Sequence, residues 1–201
     1  MSGGRVAIVD YGGANIASLT NALDRLGVAG VLTHDARIIR NASHIILPGV
    51  AAAAAAMQRL ASKRLLPVIA RLKQPVLGIC LGMHLLTESS EEDQAQCLGI
   101  VPAVARKLPV NSQQAVPNMG WCQVHQATVH ELFTGIDDDS YFYFVHSYAL
   151  DRGDYTIATA EHAQPFTAVL AKENFFATQF HPERSAAAGA KLLRNFLRIG
   201  S

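Results

Sequence analysis

The stretch Val76-Leu77-Gly78-Ile79-Cys80-Leu81-Gly82-Met83 runs an apolar strand directly into a cysteine, with a glycine two residues away on each side and a helical pattern beyond. This is the layout of a nucleophile elbow, the sharp strand-to-helix turn that lifts a reactive side chain out of a sheet. Such a turn is strained and brings neighbouring backbone close, which is what the glycines permit. The thiol then stands at a helix N-terminus, where the positive end of the helix dipole favours thiolate, the nucleophilic form. Cys80 is therefore a candidate nucleophile that forms a covalent thioester. The alternative is a packing residue, because cysteine is among the most buried residue types. Cys97 and Cys122 lack the glycine flanks and read as packing residues.

A thiol nucleophile needs an imidazole to take its proton, and the imidazole needs an acceptor that fixes its tautomer. Phe175–Phe180 reads as a strand ending in His181-Pro182-Glu183. Proline biases His181 towards extended geometry, and residues two apart on an extended segment face the same side. Glu183 is thus placed to hold the His181 ring. By itself the tripeptide also fits a solvated surface turn. An acyl-transfer site further requires donors aimed at the oxyanion. One is the backbone N–H of Leu81, the residue after the nucleophile. A second is expected from Gly49-Val50, in the Pro48-Gly49-Val50 turn after the strand His44–Leu47.

The 201 residues suffice for one domain with a real core. With 50% hydrophobic and 16% charged residues, disorder is excluded as the main state. A net charge of +1 gives no electrostatic footprint for nucleic acid. Three cysteines without metal-ligand spacing point neither to a disulfide framework nor to a zinc site. Asp10 and Gly12-Gly13 lack the Gly-x-Gly-x-x-Gly spacing of a nucleotide site, so no cofactor is expected. There is no signal-peptide pattern at the N-terminus and no apolar run of bilayer length. A reactive thiol suits a reducing compartment, so a cytoplasmic protein without a membrane partner is expected.

The first half alternates strands and helices. Strands are expected at Val6–Val9, Val31–Thr33, Ile45–Leu47 and Val76–Ile79. Helices are expected at Ala14–Leu26, Ala51–Leu60 and Pro67–Leu72, and from Leu81 onwards. In the second half Leu98–Ala105, Gly120–Val124, Tyr141–Val145, Tyr155–Ala160, Phe166–Leu170 and Phe175–Phe180 read as a meander, closed by a helix over Ser185–Leu197. The pattern predicts a three-layer α/β fold, a single domain over residues 1–201. Its central sheet is mostly parallel with helices on both faces, and its second half is rich in antiparallel strands. Reactive groups should gather at the carboxyl ends of strands.

Elbow cysteine, Pro-Gly loop and strand-end His-x-Glu together resemble a class I glutamine amidotransferase domain, over essentially the full chain. Several segments are similar to the glutaminase subunits of imidazole glycerol phosphate synthases in particular. They are Asp10-Tyr11-Gly12-Gly13-Ala14-Asn15, Asn118-Met119-Gly120-Trp121, Tyr141–Tyr148 and Gln179–Ser185. The resemblance implies that Cys80 attacks the side-chain amide of glutamine, that His181 protonates departing ammonia, and that water resolves the thioester. It implies a heterodimer in which ammonia passes to a (β/α)8 synthase subunit. That partner makes imidazole glycerol phosphate and an aminoimidazole carboxamide ribotide in histidine biosynthesis. Gly82, His84, His146 and Ser147 match positions lining the glutamine pocket. Asn15 and Asn118, Met119, Gly120 and Trp121 match the face turned to the partner.

Two positions depart from that pattern. Ala51 stands where the family usually has Gly, and His84 where it usually has Gln. A charged His84 would favour thiolate; a helix-face histidine with no catalytic part is the other reading. The alternating aromatics of Tyr141–Tyr148 are also what a core strand requires, and Trp121 is equally a core residue type. Glutaminase of pyridoxal phosphate synthase, a stand-alone thiol hydrolase and a non-catalytic module are the rival functions.

Overall fold

A computed structural model describes residues 6–12, 16–49, 51–110 and 114–200. The parallel half is built from β1 (Val6–Val9), α1 (Ala17–Arg25), β2 (Gly30–Thr33), α2 (Ala36–Asn41), β3 (His44–Leu47), α3 (Ala53–Ser62), α4 (Leu66–Ile69), β4 (Val76–Ile79) and α5 (Leu81–Leu85). There follow β5 (Thr87–Ser90), β6 (Ala95–Gln96), β7 (Val101–Lys107), β8 (Asn118–Gln126), β9 (Ser140–His146) and β10 (Tyr148–Leu150). The chain closes with β11 (Thr156–His162), β12 (Gln164–Lys172), β13 (Phe175–Thr178) and α6 (Ala186–Phe196).

Both halves contribute strands to one nine-stranded sheet, ordered β2-β1-β3-β4-β13-β12-β11-β8-β9. Pairings from β2 to β13 are parallel and those from β13 to β9 antiparallel. The buried parallel strands show why both faces must be covered. On β1, Val6 and Ile8 join one core with Leu19 and Leu23 of α1 and Leu192 and Phe196 of α6. Ala7 and Val9 join the other, with Ile39 of α2, Leu60 of α3, Ile69 of α4 and Leu85 of α5. Successive side chains point to opposite faces, so a strand apolar throughout serves two cores.

The expected meander is corrected in one respect. The strand read at Leu98–Ala105 leaves the main sheet and joins a four-stranded one, ordered β10-β7-β5-β6. The cause is α5, which runs for only five residues before the chain turns extended at Thr87. Val101, Ala103, Ala105 and Leu150 of this small sheet pack into the second core.

The alanine run is also read differently by the structure. The helix expected from Ala51 begins at Ala53, because Ala51 has φ +78° and Ala52 is extended. Alanine's helix propensity is overridden by the chain path out of the Pro48-Gly49 loop. A methyl-bearing residue is disfavoured in the left-handed region by roughly 1–2 kcal/mol. Ala51→Gly should therefore raise stability by about 0.5–1 kcal/mol, after allowing for the added freedom of the unfolded chain. Urea unfolding of the two proteins checks this; an equal or lower midpoint would contradict it.

Candidate active site

Three adjacent parallel strands deliver the site. In register, Leu47 of β3 lies opposite Gly78 of β4, and Ile79 of β4 opposite Thr178 of β13. Adjacent strands are about 4.8 Å apart, so residues just beyond them meet at one edge. Those residues are Pro48-Gly49, Cys80 and His181.

Cys80 has φ +51° and ψ −110°, a strained backbone for a residue with a side chain. Its N–H donates to the Thr178 carbonyl at 2.7 Å, and its own carbonyl accepts from the Met83 N–H at 2.9 Å. The glycines around it are sterically required. A Cβ on Gly82 would lie 2.0 Å from the Leu47 oxygen, and one on Gly78 2.7 Å from the Gly82 oxygen. A Cβ on Gly49 would lie 2.2 Å from the Ile79 oxygen and 2.7 Å from the Leu81 nitrogen. Gly49 and the Leu81 N–H are thus side by side, as an oxyanion hole requires. Tyr11 steadies this loop by donating its hydroxyl to the Pro48 carbonyl at 2.5 Å. Val50, the other expected member, lies outside the described residues.

His181 Nδ1 and Glu183 Oε1 are 2.8 Å apart. The expected pairing is present but its geometry differs. Pro182–Arg184 form a 3₁₀ turn rather than continuing the strand, and the turn brings the carboxylate back under the ring. With Nδ1 on Glu183, Cys80 is the other group close enough to act on the ring's charge. Burial alone would lower the His181 pKa. The interactions with Cys80 and Glu183, charge among them, outweigh it and raise the value to about 10.

A cavity of about 230 Å³ opens beside the sulfur, lined among others by Cys80, Leu81, His84, Glu92, His146 and Ser147. It is smaller than the roughly 300 Å³ at which pockets for drug-sized ligands begin, a scale suited to one amino acid. His146 donates from Nδ1 to the Tyr148 carbonyl (2.9 Å), so its Nε2 accepts from the Asn118 amide (3.0 Å). Burial lowers its pKa to about 3, reinforced by neighbouring histidines and opposed by the Tyr148 bond. His84 is also lowered, by burial, against the opposing bond to Gln179. Its ring is therefore neutral near pH 7, and the charged role open to it in the sequence is removed.

Three of the expected pocket residues, His84, His146 and Ser147, do line the cavity. Gly82 is instead packed under Leu47. Asn118, expected on the partner face, is 2% exposed and turned inward onto His146. Its β8 neighbours Met119 and Trp121 are exposed at 64% and 51%, and Tyr141 of β9 at 54%. Gly120 lies between them with open space beside it. Asn15 lies outside the described residues. Trp121 packs edge-on to Tyr143 (6.0 Å between centroids), and the Arg184 guanidinium stands 4.8 Å above the Tyr143 ring. Glu92 escaped the sequence reading: an acid within Ser89-Ser90-Glu91-Glu92-Asp93 reads as solvated surface. It accepts from the Ala53 N–H at 2.9 Å and faces the cavity.

A thiol at a strand-to-helix elbow, a bonded His–Glu pair and an amino-acid-sized cavity on a mixed sheet are the parts that thiol-dependent amide hydrolysis requires. The chain belongs to the class-I glutamine amidotransferase family, whose model matches residues 7–199. Among curated relatives, imidazole glycerol phosphate synthase subunit HisH 2 of Legionella pneumophila (strain Paris) is 50% identical over 196 residues, covering 98% of each chain. Subunit HisH of Vibrio cholerae serotype O1 is 45% identical over 200 residues, 96% of this chain and 98% of that one. A solved structure of PurLQS from Thermotoga maritima superposes with a TM-score of 0.73 at 18% identity, covering 98% of this chain and 99% of that one, a likeness of fold.

Because the native state holds His146 neutral down to about pH 3, against 6.5 for a free imidazole, it contributes stability above pH 6.5 that is lost as pH falls towards 3. Urea unfolding at pH 7 and pH 4.5 should show that loss, and His146→Gln should make it shallower. An unchanged difference in the variant would rule the contribution out.

Proposed function

We infer that this chain is the glutaminase subunit of an imidazole glycerol phosphate synthase of histidine biosynthesis, one domain over residues 1–201 acting in the cytoplasm. The observation that carries the reading is His181 bonded to Glu183 and standing next to Cys80, beside a cavity of amino-acid size. Both histidine-pathway relatives, aligned over nearly the whole chain, support the choice of pathway.

In this reading glutamine enters the cavity with its ammonium group towards the Glu92 carboxylate. The protonated His181 beside the sulfur favours thiolate. The thiolate attacks the side-chain amide carbon, and the Leu81 N–H with the Gly49-Val50 loop receives the oxyanion. His181 gives its proton to the amide nitrogen, the C–N bond breaks, and ammonia leaves a glutamyl thioester. The now neutral His181 takes a proton from water, hydroxide adds to the thioester, and the C–S bond breaks. Glutamate departs, and thiolate and imidazolium are restored. Glu183 keeps Nδ1 protonated throughout, so that Nε2 does the proton transfer.

Ammonia would pass to a (β/α)8 synthase subunit that uses it to make imidazole glycerol phosphate and aminoimidazole carboxamide ribotide. The exposed Met119, Trp121 and Tyr141 suit its docking, since aromatic and methionine side chains are enriched at interface cores.

With glutamine and the synthase subunit supplied, the chain should release glutamate and Cys80→Ala should not. Turnover retained by that variant would refute the nucleophile. Trp121→Ala should weaken binding of the synthase subunit by about 30-fold, equivalent to about 2 kcal/mol, with the fold intact by circular dichroism. Titration calorimetry reads the change, and unaltered affinity would move the interface elsewhere.

A further inference from the structure

His84 and Gln179 are buried polar side chains that the reaction above leaves without a task. They are 4% and 0% exposed, on α5 and just after β13. His84 Nε2 lies 2.9 Å from Gln179 Oε1, and Gln179 Nε2 lies 3.9 Å from Cys80 Sγ. Elsewhere around the sulfur stands the Val145 carbonyl, 3.6 Å from Sγ. A carbonyl dipole opposes negative charge on sulfur, whereas an amide N–H favours it. A flipped Gln179 would therefore leave the sulfur facing two carbonyl oxygens.

What fixes the amide is its partner. Burial keeps the His84 ring neutral against the bond to Gln179, so it carries one N–H. If that proton is on Nε2, it can only be donated to an oxygen, and the Gln179 NH₂ is left to face Cys80. The other groups around the sulfur are His181, backed by Glu183 from the turn after β13, His146 from β9, and Glu92 across the cavity.

We propose that His84 is a positioning residue: through Gln179 it holds an amide N–H against the Cys80 sulfur and favours the reactive thiolate. The proposal rests on Cys80 being the nucleophile. It also accounts for the departure from the expected glutamine at this position, because a glutamine NH₂ can donate to Gln179 Oε1 in the same way.

The test is alkylation of Cys80 in the full chain by iodoacetamide, without glutamine, read on the Cys80 peptide by mass spectrometry. His84→Leu should slow alkylation at pH 7 by about tenfold, the equivalent of one pH unit in thiolate population, with rates converging in strong alkali. His84→Gln should restore the rate. Gln179→Leu should slow it as His84→Leu does, and the double variant should be no slower than either single one. A residue that merely touched glutamine would raise KM and leave this rate unchanged. An unchanged rate in His84→Leu, or His84→Gln as slow as His84→Leu, overturns the proposal. Should His84→Leu fail to fold, an unchanged rate in Gln179→Leu does the same. Failure of the nucleophile reading is distinguishable, because it would appear as glutamine turnover in Cys80→Ala.

Discussion

The site depends on backbone packed more tightly than any side chain allows. The ends of β3 and β4 approach until the Leu47 carbonyl occupies the space a Gly82 side chain would need, and the Ile79 carbonyl that of a Gly49 side chain. This contact sets the Pro48-Gly49 loop beside the Leu81 nitrogen, next to Cys80 with its positive φ. Strain of that kind costs on the order of 1–3 kcal/mol and persists only where the surroundings over-determine it. Here the surroundings are two adjacent parallel strands, whose ladders fix Leu47 and Thr178 on either side of β4. The bond from the Cys80 N–H to the Thr178 carbonyl then ties the elbow to the strand that carries His181. The positions of Cys80, His181 and the Pro48-Gly49 loop thus follow from one close approach.

The same residue type is tuned in opposite directions within this small space. His181 is held charged by a carboxylate and a sulfur, while His146 and His84 are held neutral by burial. The difference follows from partners. His181 faces groups that carry or can take negative charge; His146 faces a carbonyl and an amide, and His84 an amide. With the other two rings neutral, His181 is the one charged imidazole of the three. Pushing apart the titrations of neighbouring groups is how an acid–base assignment is made unambiguous.

The elbow, the strand-end His-x-Glu and the strand–helix alternation were legible because each is a local pattern with a fixed period or spacing. Less legible were features set by contacts distant in sequence. Ala51 belongs to an alanine run with high helix propensity, yet the loop before it demands a positive φ. Thr87–Ser90 follows a helical pattern, and only the register with β7, some 15 residues on, makes it a strand. Glu92 lies in a polar run that looks solvated and is drawn into the cavity by the N-terminus of α3. Asn118 alternates correctly with Met119, but which face of β8 looks inward is decided by His146 on the paired strand. Glu183 met His181 for a reason other than the expected one: a turn did what strand alternation was expected to do.

The exposed aromatic patch and the surroundings of Cys80 and His181 meet on one strand. On β9, Tyr141 is exposed, the Tyr143 carbonyl accepts from the His181 N–H at 2.9 Å, and the Val145 carbonyl stands 3.6 Å from the sulfur. The Tyr143 ring in turn contacts both Trp121 and Arg184, the residue after Glu183. Two sites can be coupled only through an element whose position both of them bias. β9 meets that condition by geometry: it carries Tyr141, pairs with the β8 strand that carries Trp121, and its Tyr143 carbonyl fixes the backbone of His181. Displacing the Val145 carbonyl changes the cost of charge on the sulfur, because the interaction of a dipole with a charge depends on their separation. The backbone of His181 and the carbonyl beside the sulfur are therefore anchored on the same hairpin that presents the exposed side chains of Trp121 and Tyr141.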